Sequence, residues 1–474
     1  MTDLTIRTLE TTTKLVPEGV VTAFRGKQRG PVALPGEEGY GAARTVWNAA
    51  IDRSPALVAR CLGAADVINA VKFARDENLL VAVRGGGHNI AGNAVCDGGL
   101  LIDLSLMKSV RVDPAAHAAR VEPGATLADF DKEAQAFALA TPLGINSTTG
   151  VAGLTLGGGF GWTTRKFGLT VDNLISADVV TADAKLVRAS ETENPDLFWA
   201  LRGGGGNFGI VTSFEFKLHP LGPEVLSGLV VHPLEKASKL LPEFRRIAKE
   251  APDELTIWVV MRKAPPLPFL LTEWHGKEVL IFAACYSGDM KEGEKATRAL
   301  RALGSPIVDV ISPHPFTGWQ AAFDPLLTPG ARNYWKSHDF IDLADPTIKI
   351  MVDSVRELPS PECEVFIAHV GGDMARVGAQ ATAWPNRDAH FVMNAHARWR
   401  EKAQDLACIA WARRLSEATA PFASGSVYVN FMPEDESDRV EKAYGANFRR
   451  LAEIKRRYDP ANLFRMTQNI RPAT

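Results

Sequence analysis

The chain of 474 residues has few cysteines, and their spacing gives them no common use. The five are Cys61, Cys96, Cys285, Cys363 and Cys408, and no two of them form a Cys-x-x-Cys pair. An odd, dispersed set argues against a disulfide framework and against a cysteine-based zinc site. We therefore expect buried free thiols in a reducing compartment and no metal centre.

An excess of one charge and long hydrophobic runs are also missing. The formal net charge is −2, so no basic excess points to nucleic acid or to an anionic membrane surface. No apolar run reaches the roughly 18 residues that a membrane span requires. The first residues lack the basic and apolar regions of a signal peptide. The sequence predicts a cytoplasmic protein that binds neither nucleic acid nor membrane.

The composition is that of an ordinary globular protein, with 46% apolar and 23% charged residues, and the length suggests two or three domains. The first half alternates predicted helices and strands. The pattern of predicted elements changes at "KLHPLGPEV", near residue 218, where two prolines and a glycine could mark a domain boundary. Beyond it, strands such as "LTIWVVM" and "CEVFIAHVGG" alternate with amphipathic helices. This pattern predicts an antiparallel sheet covered by helices on a single face.

Three glycine clusters stand out: Gly85–Gly87, Gly157–Gly159 with Gly161, and Gly203–Gly206 with Gly209. The last contains a formal G-x-G-x-x-G, but a predicted helix precedes it and a predicted strand follows, the reverse of a Rossmann fingerprint. Structural turns explain many single clusters. Glycine also lets backbone N–H groups approach phosphate or a flat ring. A large dinucleotide lying across several loops would give all three clusters one purpose.

Four stretches together resemble a known family. They are "RGGGHNIAG", "GVAGLTLGGGFGWTTRKFGLTVDNL", "PDLFWALRGGGGNFGIVTSFEFKL" and "RRYDPANLFRMTQNIRP". They resemble the FAD-linked oxidases of the vanillyl-alcohol oxidase type, in particular the bacterial berberine-bridge-enzyme-like proteins. The resemblance implies an α+β fold. A two-subdomain FAD-binding domain of the PCMH type would use residues 1–218 and 426–474, and a helix-covered antiparallel sheet at 219–425 would bind substrate.

The resemblance also implies the cofactor and its attachment. The loop 81–92 would wrap the FAD pyrophosphate, and His88 would be bonded to the flavin 8α carbon, which a neutral imidazole can attack. Covalent attachment makes a flavin more oxidising, which suits difficult hydride abstraction. The cofactor-binding residues implied are Val83, Arg84, Gly85, Gly86, Gly87, His88, Asn89, Gly92, Gly144, Asn146, Thr148, Gly150, Gly153, Gly158, Gly161, Gly209, Ile210, Val211, Asn430 and Asn469.

Two positions depart from the family pattern. Some relatives carry a second flavin bond from a cysteine where this chain has Asn146, so we expect a single covalent link. Many alcohol- and sugar-oxidising relatives carry a catalytic tyrosine where this chain has Phe431, in "YVNF". Alcohol oxidation needs a base to remove a proton as hydride leaves, and a phenyl ring cannot be that base.

The expected function is therefore an oxidase that abstracts hydride from a small organic substrate and passes electrons to O₂. Because an amine can lose hydride without a base, an amine or N-heterocycle is favoured. The alternative is an alcohol, sugar or oligosaccharide oxidase with a relocated base. An alternative of another class is a non-catalytic protein that binds FAD or another ligand.

A relocated base would be sought in the substrate domain and in the "YVNF" segment. In "HFVMNAHARW", alternation puts Val392, Asn394, His396 and Arg398 on one face of a strand. Packing or solvent exposure is the ordinary alternative for each such residue. The candidate catalytic residues are Tyr334, His338, His369, Asn394, His396 and Tyr428.

Overall fold

The computed structural model describes residues 3–474. Residues up to about 220 form small sheets and helices. Their strands are β1 (Leu4–Arg7), β2 (Thr13–Val16), β3 (Val32–Ala33), β4 (Leu57–Arg60), β5 (Val81–Arg84), β6 (Leu100–Asp103), β7 (Val110–Asp113), β8 (Ala118–Val121), β9 (Leu139–Ala140), β10 (Leu174–Val180), β11 (Leu186–Ser190), β12 (Ile210–Lys217) and β13 (His219–Pro220). Their helices are α1 (Glu18–Lys27), α2 (Tyr40–Arg44), α3 (Ala64–Asp76), α4 (Leu127–Gln135), α5 (Val151–Leu156), α6 (Thr164–Phe167) and α7 (Pro195–Leu201).

Two sheets organise this first region. One has the strand order β3-β4-β6-β5, in which β4 and β5 run parallel to β6, and the other has the order β11-β10-β12-β8-β7. Helix α3 packs on the first sheet through Val67, Ala70, Val71 and Ala74, the face that its sequence spacing predicts. Strands β10 and β11 form a hairpin, as the alternation in "SADVVTADAKLVRAS" predicts.

The middle of the chain forms a larger sheet with the strand order β17-β14-β16-β15-β20-β21-β19, all antiparallel, and β18 pairs with β14. The strands are β14 (Glu224–Pro233), β15 (Leu255–Lys263), β16 (Glu278–Tyr286), β17 (Val308–Asp309), β18 (Ser312–Pro315), β19 (Arg332–Phe340), β20 (Glu364–His369) and β21 (Phe391–Trp399). The helices are α8 (Ala237–Glu250), α9 (Met290–Arg301), α10 (Phe316–Gln320), α11 (Asp345–Val355), α12 (Asp373–Arg376) and α13 (Asp405–Thr419).

Helices α8, α9, α11 and α13 cover one face of this sheet, as the alternating pattern predicts. Their buried residues, such as Phe244 and Trp411, share one core with Met393, Ala395 and Ala397 of β21. Because strand side chains alternate, the residues between these three face the opposite side, toward the first region. The large sheet begins at Glu224, a few residues after the expected boundary at 218/219. The intervening strand β13 belongs to the first region, because it pairs with β9.

The C-terminal residues return to the first region. Val427, Tyr444, Leu451 and Ile470 pack in the same core as β8, β10 and β12. The sequence predicts one continuous helix before "YDPANLF", but the structure has α14 (Val440–Tyr444) and α15 (Phe448–Tyr458) with a break between them. The break falls at Gly445, whose φ of +48° is not helical and favours glycine.

The interior of the protein also contains free cysteines and a buried ion pair. All five cysteines are free and buried, as predicted. Lys455 on α15 is fully buried and donates hydrogen bonds to Asp459 Oδ2, to the carbonyl of Asn207 at 2.7 Å and to that of Phe464 at 3.1 Å. This lysine therefore joins the third glycine cluster to the C-terminal segment. No helix within residues 3–474 is both long and apolar enough to cross a membrane.

We expect Lys455→Ala to lower the free energy of unfolding by about 3–5 kcal/mol, because it leaves the buried Asp459 carboxylate without its counter-charge. The matched control is Arg449→Ala on the same helix, whose pair with Glu453 lies on the surface, and its loss should cost less than about 1 kcal/mol. Denaturant unfolding followed by circular dichroism measures both changes. Equal effects of the two substitutions would contradict this account.

Candidate active site

A deep cleft separates the glycine-rich loops of the first region from the helix-free face of the large sheet. It encloses about 2470 Å³ of space, including its open mouth. Residues from all three glycine clusters and from the C-terminal segment line one wall, and β14, β15, β16, β19, β20 and β21 supply the other. A long, flat ligand that touches several loops can therefore lie between them and the helix-free face of the large sheet.

Most of the residues expected to bind the cofactor line this cleft. They are Val83, Gly85, Gly86, Gly87, His88, Asn89, Gly144, Asn146, Gly150, Gly153, Gly209, Ile210, Val211 and Asn430. The first cluster follows β5 and the third precedes β12, so strand ends of both sheets of the first region open onto the same cleft. Their role in binding a cofactor stays a prediction.

Two of the residues expected to bind the cofactor make contacts within the protein and do not line the cleft. Arg84 is buried, and its guanidinium pairs with Asp103 at 2.7 Å, which ties β5 to β6. Gly92 has a φ of +76°, and a Cβ there would meet Ile51 at 2.7 Å. In both cases the neighbouring residue in the protein explains the residue type.

Four further residues expected to bind the cofactor also fall outside the cleft wall. Gly158 packs against Trp384, and Gly161 lies against the carbonyl of Leu143, where a Cβ has no room. Asn469 does not reach the wall, although its neighbour Gln468 does. Thr148 is likewise outside the wall, but its hydroxyl lies 3.3 Å from His88 Nε2.

His88 is held from two sides at the edge of the cleft. Its ring stacks on Trp47, with centroids 4.9 Å apart. Thr148 Oγ1 donates to Asn146 Oδ1 at 2.8 Å, so the hydroxyl oxygen can accept a hydrogen from His88 Nε2. Close packing lowers the pKa of His88 to about 4, so the imidazole is neutral at physiological pH.

The wall of the first region fits a dinucleotide. Gly153 and Gly206 line the cleft, and a Cβ at either would meet no other protein atom within 4 Å, so these glycines leave open space. The hydroxyl of Tyr444 also lies on the wall, buried and without a hydrogen-bond partner in the described part of the chain. Over the same residues, no group of three or more histidine, cysteine, aspartate or glutamate side chains could hold a metal ion.

The candidate catalytic residues divide according to the strand face on which they lie. His338 and His369 stand opposite Met393 and Phe391 of β21, on the helix-covered face. The structure therefore does not bring them to the cleft. His338 Nε2 lies 2.9 Å from the carbonyl of Ser416 on α13, and His369 Nε2 lies 2.9 Å from Arg165.

Tyr334 also lies on the helix-covered face of the sheet, because it is paired with Ala397 of β21. Its hydroxyl donates to Asp435 at 2.7 Å, in a smaller cavity beside the cleft. Asn394 lies on the cleft-facing side of β21 but is fully buried and is not part of the cleft wall. His396 and Tyr428 do line the cleft.

A buried charge network surrounds His396. Its Nδ1 lies 3.2 Å from Glu364 Oε1, and Glu364 Oε2 accepts a hydrogen bond from Arg262 at 2.6 Å. Burial raises the pKa of Glu364, but Arg262 and His396 outweigh it and lower that pKa to about 2. Burial lowers the pKa of His396, while Glu364 opposes the shift. At neutral pH the pair is thus a carboxylate and a neutral imidazole.

Both ring nitrogens of His396 are buried and neither makes a hydrogen bond within residues 3–474, although Nδ1 lies 3.2 Å from Glu364 Oε1. With Nδ1 turned toward the Glu364 carboxylate, the proton of the neutral ring belongs on Nδ1, and Nε2 keeps a lone pair. The arrangement can accept a proton from a group bound in the cleft. It is a neutral imidazole with a carboxylate 3.2 Å from its other ring nitrogen.

Tyr428 is built differently. Its hydroxyl oxygen accepts hydrogen bonds from the Gly159 amide at 3.2 Å and from Asn430 Nδ2 at 2.8 Å. Burial raises the pKa of Tyr428 to about 12 despite these donors. The phenol therefore remains neutral and joins the second glycine cluster to the "YVNF" segment.

Aromatic rings form the floor beside His396. Phe431 packs edge-on against Trp335 and Phe366, with centroids 5.4 and 5.8 Å apart, and Phe366 stacks on Trp258 at 5.6 Å. Trp335 contacts the His396 ring edge-on at 4.7 Å. The sequence analysis missed Arg262, Glu364 and these tryptophans. Alternation in β15 and β20 could have grouped them, but only the pairing of these strands with β21 identifies the face that meets the cleft.

Comparisons with known proteins identify the family of the chain. A family model described as an FAD binding domain matches residues 55–190, and one described as berberine and berberine like matches residues 427–471. An FAD-linked oxidoreductase of Dictyostelium discoideum is 31% identical, over 98% of this chain and 99% of the relative.

Solved structures share the whole architecture. The crystal structure of 6-hydroxy-D-nicotine oxidase from Arthrobacter nicotinovorans superposes with a TM-score of 0.86 at 30% identity, covering 94% of this chain and 98% of that chain. The xylooligosaccharide oxidase of Myceliophthora thermophila, solved with xylobiose, gives 0.83 at 25% identity, covering 96% and 99%. These likenesses confirm the predicted fold class and FAD as the cofactor of the family. The chain therefore belongs to the berberine-bridge-enzyme-like family of FAD-linked oxidoreductases, which have the vanillyl-alcohol oxidase fold.

Proposed function

We propose that this protein is an oxidase that takes hydride from a small organic substrate in the cleft, with FAD attached through His88 and with His396 as the base. O₂ is proposed as the electron acceptor and the cytoplasm as the location, where buried free thiols stay reduced. Residues 219–425 are proposed to bind the substrate. The observation that carries the proposal is the neutral imidazole of His396, which lies on the cleft wall opposite the glycine loops with the Glu364 carboxylate 3.2 Å from its Nδ1.

Bound FAD supplies the hydride acceptor, and the residues of the first region would hold it. Gly153 and Gly206 leave room for part of it against the loops, and the Tyr444 hydroxyl is a buried hydrogen-bond donor on the same wall. Buried polar groups ordinarily have partners, so this hydroxyl supports a polar ligand there.

His88 is proposed as the single tether. An imidazole attacks carbon only through a neutral nitrogen, and the lowered pKa of His88 keeps the ring neutral. When Thr148 Oγ1 accepts from Nε2–H, the lone pair remains on Nδ1. Asn146, which stands where some relatives have a bonded cysteine, would then serve to orient Thr148.

His396 supplies the base that Phe431 cannot. A substrate hydroxyl in the cleft would give its proton to Nε2, and the adjacent Glu364 carboxylate would stabilise the resulting imidazolium. Arg262 keeps that carboxylate ionised. Trp335, Phe366 and Phe431 limit access of water to the reacting group.

This base favours an alcohol over the amine that Phe431 alone suggests, because an alcohol must lose a proton as hydride leaves. Amine or N-heterocycle oxidation is the second candidate, supported by the likeness to a 6-hydroxy-D-nicotine oxidase. Anaerobic mixing of the yellow holoprotein with alcohols and cyclic amines tests both classes. Bleaching of the flavin by neither would contradict the proposed oxidase.

We expect the flavin to stay on the wild-type chain after acid precipitation and to be released from His88→Ala. The variant should still bind FAD before denaturation, because backbone contacts from the glycine loops do not need the imidazole. Its turnover should be slower, since an untethered flavin is a weaker oxidant.

Absorbance of the washed precipitate and mass spectrometry of the flavin peptide measure this outcome. His390→Ala, at an exposed position away from the cleft, is the matched control and should keep its flavin. Release of FAD from the wild type would exclude the tether. A flavin peptide that contains cysteine would contradict the single link.

We expect His396→Ala to lower kcat by about 10²–10⁴-fold while the flavin remains bound, because the loss of a general base has this cost. In the wild type, kcat/KM should fall with decreasing pH as the imidazole is protonated, with the midpoint below the ordinary histidine pKa of about 6.5. Glu364→Gln removes a charge that raises this pKa, so the midpoint should move to lower pH and kcat should fall.

Stopped-flow flavin reduction across pH measures these shifts. His338→Gln is the control, because this histidine lies on the same sheet but faces the helices, and its midpoint should match the wild type. An acid limb that persists unchanged in His396→Ala would assign the base to another residue.

A further inference from the structure

The cleft extends along the large sheet beyond Arg262 into a part that the proposed chemistry does not use. Leu229, Val260 and Ile281 line it from the sheet, and Pro265 and Leu267 line it from the loop that follows β15. We call these five residues the apolar recess. Val260 and Ile281 are directly paired across β15 and β16, so the floor of the recess is continuous.

The loop over the apolar recess is held in place from below. Ala264 and Leu270 are buried in a small core with Val231 and Val279, on the cleft-facing side of the sheet. The same loop exposes two large apolar side chains toward solvent, Phe269 at 38% and Leu271 at 62%. An apolar surface thus runs from the rim into the recess.

The charged groups of the sheet wall lie beside the recess, since Arg262 is two residues from Val260 on the same face of β15. Glu364 and Arg262 pair with each other, and His396 is neutral there. The sheet residues on the cleft wall are Leu229, Trp258, Val260, Arg262, Ile281, Ala283, Trp335, Glu364, Phe366 and His396. Because each charge already has its counter-charge, this wall offers no partner to a charged substrate, and burying an unpaired charge is costly.

We propose that the apolar recess is a subsite for the hydrocarbon part of the substrate, which is an uncharged alcohol with a hydroxyl at one end and an apolar body. This inference rests on the proposed function, because His396 fixes the end at which the hydroxyl lies. The continuity of one cavity from His396 to Leu267 carries it. An oligosaccharide, with hydroxyls along its whole length, would leave many of them unpaired in the recess.

Burial of hydrocarbon gives the expected size of the effect. Each methylene moved from water into an apolar site strengthens binding by about three- to fourfold. Dissociation constants should therefore fall by that factor per carbon from butan-1-ol to octan-1-ol. Xylobiose and protonated 6-aminohexan-1-ol should bind at least about tenfold more weakly than hexan-1-ol, because polar or charged groups would enter the recess.

The experiment titrates the holoprotein anaerobically with these compounds. Calorimetry gives the dissociation constants, and the flavin spectrum reports reduction separately. Leu267→Trp fills the recess, so it should raise the dissociation constant of octan-1-ol at least about tenfold and leave that of butan-1-ol unchanged. Leu271→Trp, in the same loop but exposed and outside the wall, should leave the whole series unchanged. Val260→Phe fills the recess from the sheet if Leu267→Trp does not fold.

Two kinds of failure are distinguishable. Affinity that does not depend on chain length, tighter binding of xylobiose than of hexan-1-ol, or equal effects of the two loop substitutions would overturn the subsite. Chain-length-dependent binding without flavin reduction by any alcohol or amine would keep the subsite and refute the proposed oxidase.

Discussion

The close contact between the backbones of Gly86 and Gly150 is the constraint on which the candidate site depends. A Cβ at either residue would come within 2.4–2.5 Å of the backbone of the other, so only two glycines permit this approach. The contact joins the loop after β5 to the loop before α5. As a result, His88 on the first loop meets Thr148 on the second, and the edge of the cleft is closed at that point. The position of His88, the proposed tether, therefore depends on a backbone contact that no side chain could replace.

The glycines of the cleft loops fall into two groups, which correspond to the two explanations that the sequence leaves open. Gly86, Gly158 and Gly161 are needed where protein atoms approach the backbone closely. Gly153 and Gly206 have open space where a Cβ would lie, and both line the cleft. Turns and close packing bring the loops together, and the remaining glycines leave the surface between them bare. The sequence of a cluster alone cannot distinguish the two cases, because both require a residue without a Cβ atom.

Much of the fold could be predicted from the sequence, whereas the substrate side of the site could not. Local periodicity was enough for α3, for the β10–β11 hairpin and for the alternation of β21, because each depends on residues close in the chain. His338 and His369 lie on the wrong face because the register of β19 and β20 against β21 decides their direction. Glu364 lies one strand away from His396 and more than thirty residues earlier, so only strand pairing brings them together. A one-residue change of register would reverse every such assignment.

If His396 is the base, as proposed, the role that the family resemblance gives to a tyrosine has moved to a strand of the large sheet without a change of fold. Phe431 occupies the usual tyrosine position, and its ring packs among Trp335 and Phe366 where a phenol would need a polar partner. His396 enters this apolar surrounding from the sheet, where burial alone would leave a weak base with a free ring orientation. Glu364 counters the effect of burial on the pKa of His396, but an isolated buried carboxylate would itself take up a proton. Arg262 prevents this by pairing with it at 2.6 Å. The three residues lie side by side on β21, β20 and β15, so a base at this position requires three adjacent strands and cannot come from a single substitution.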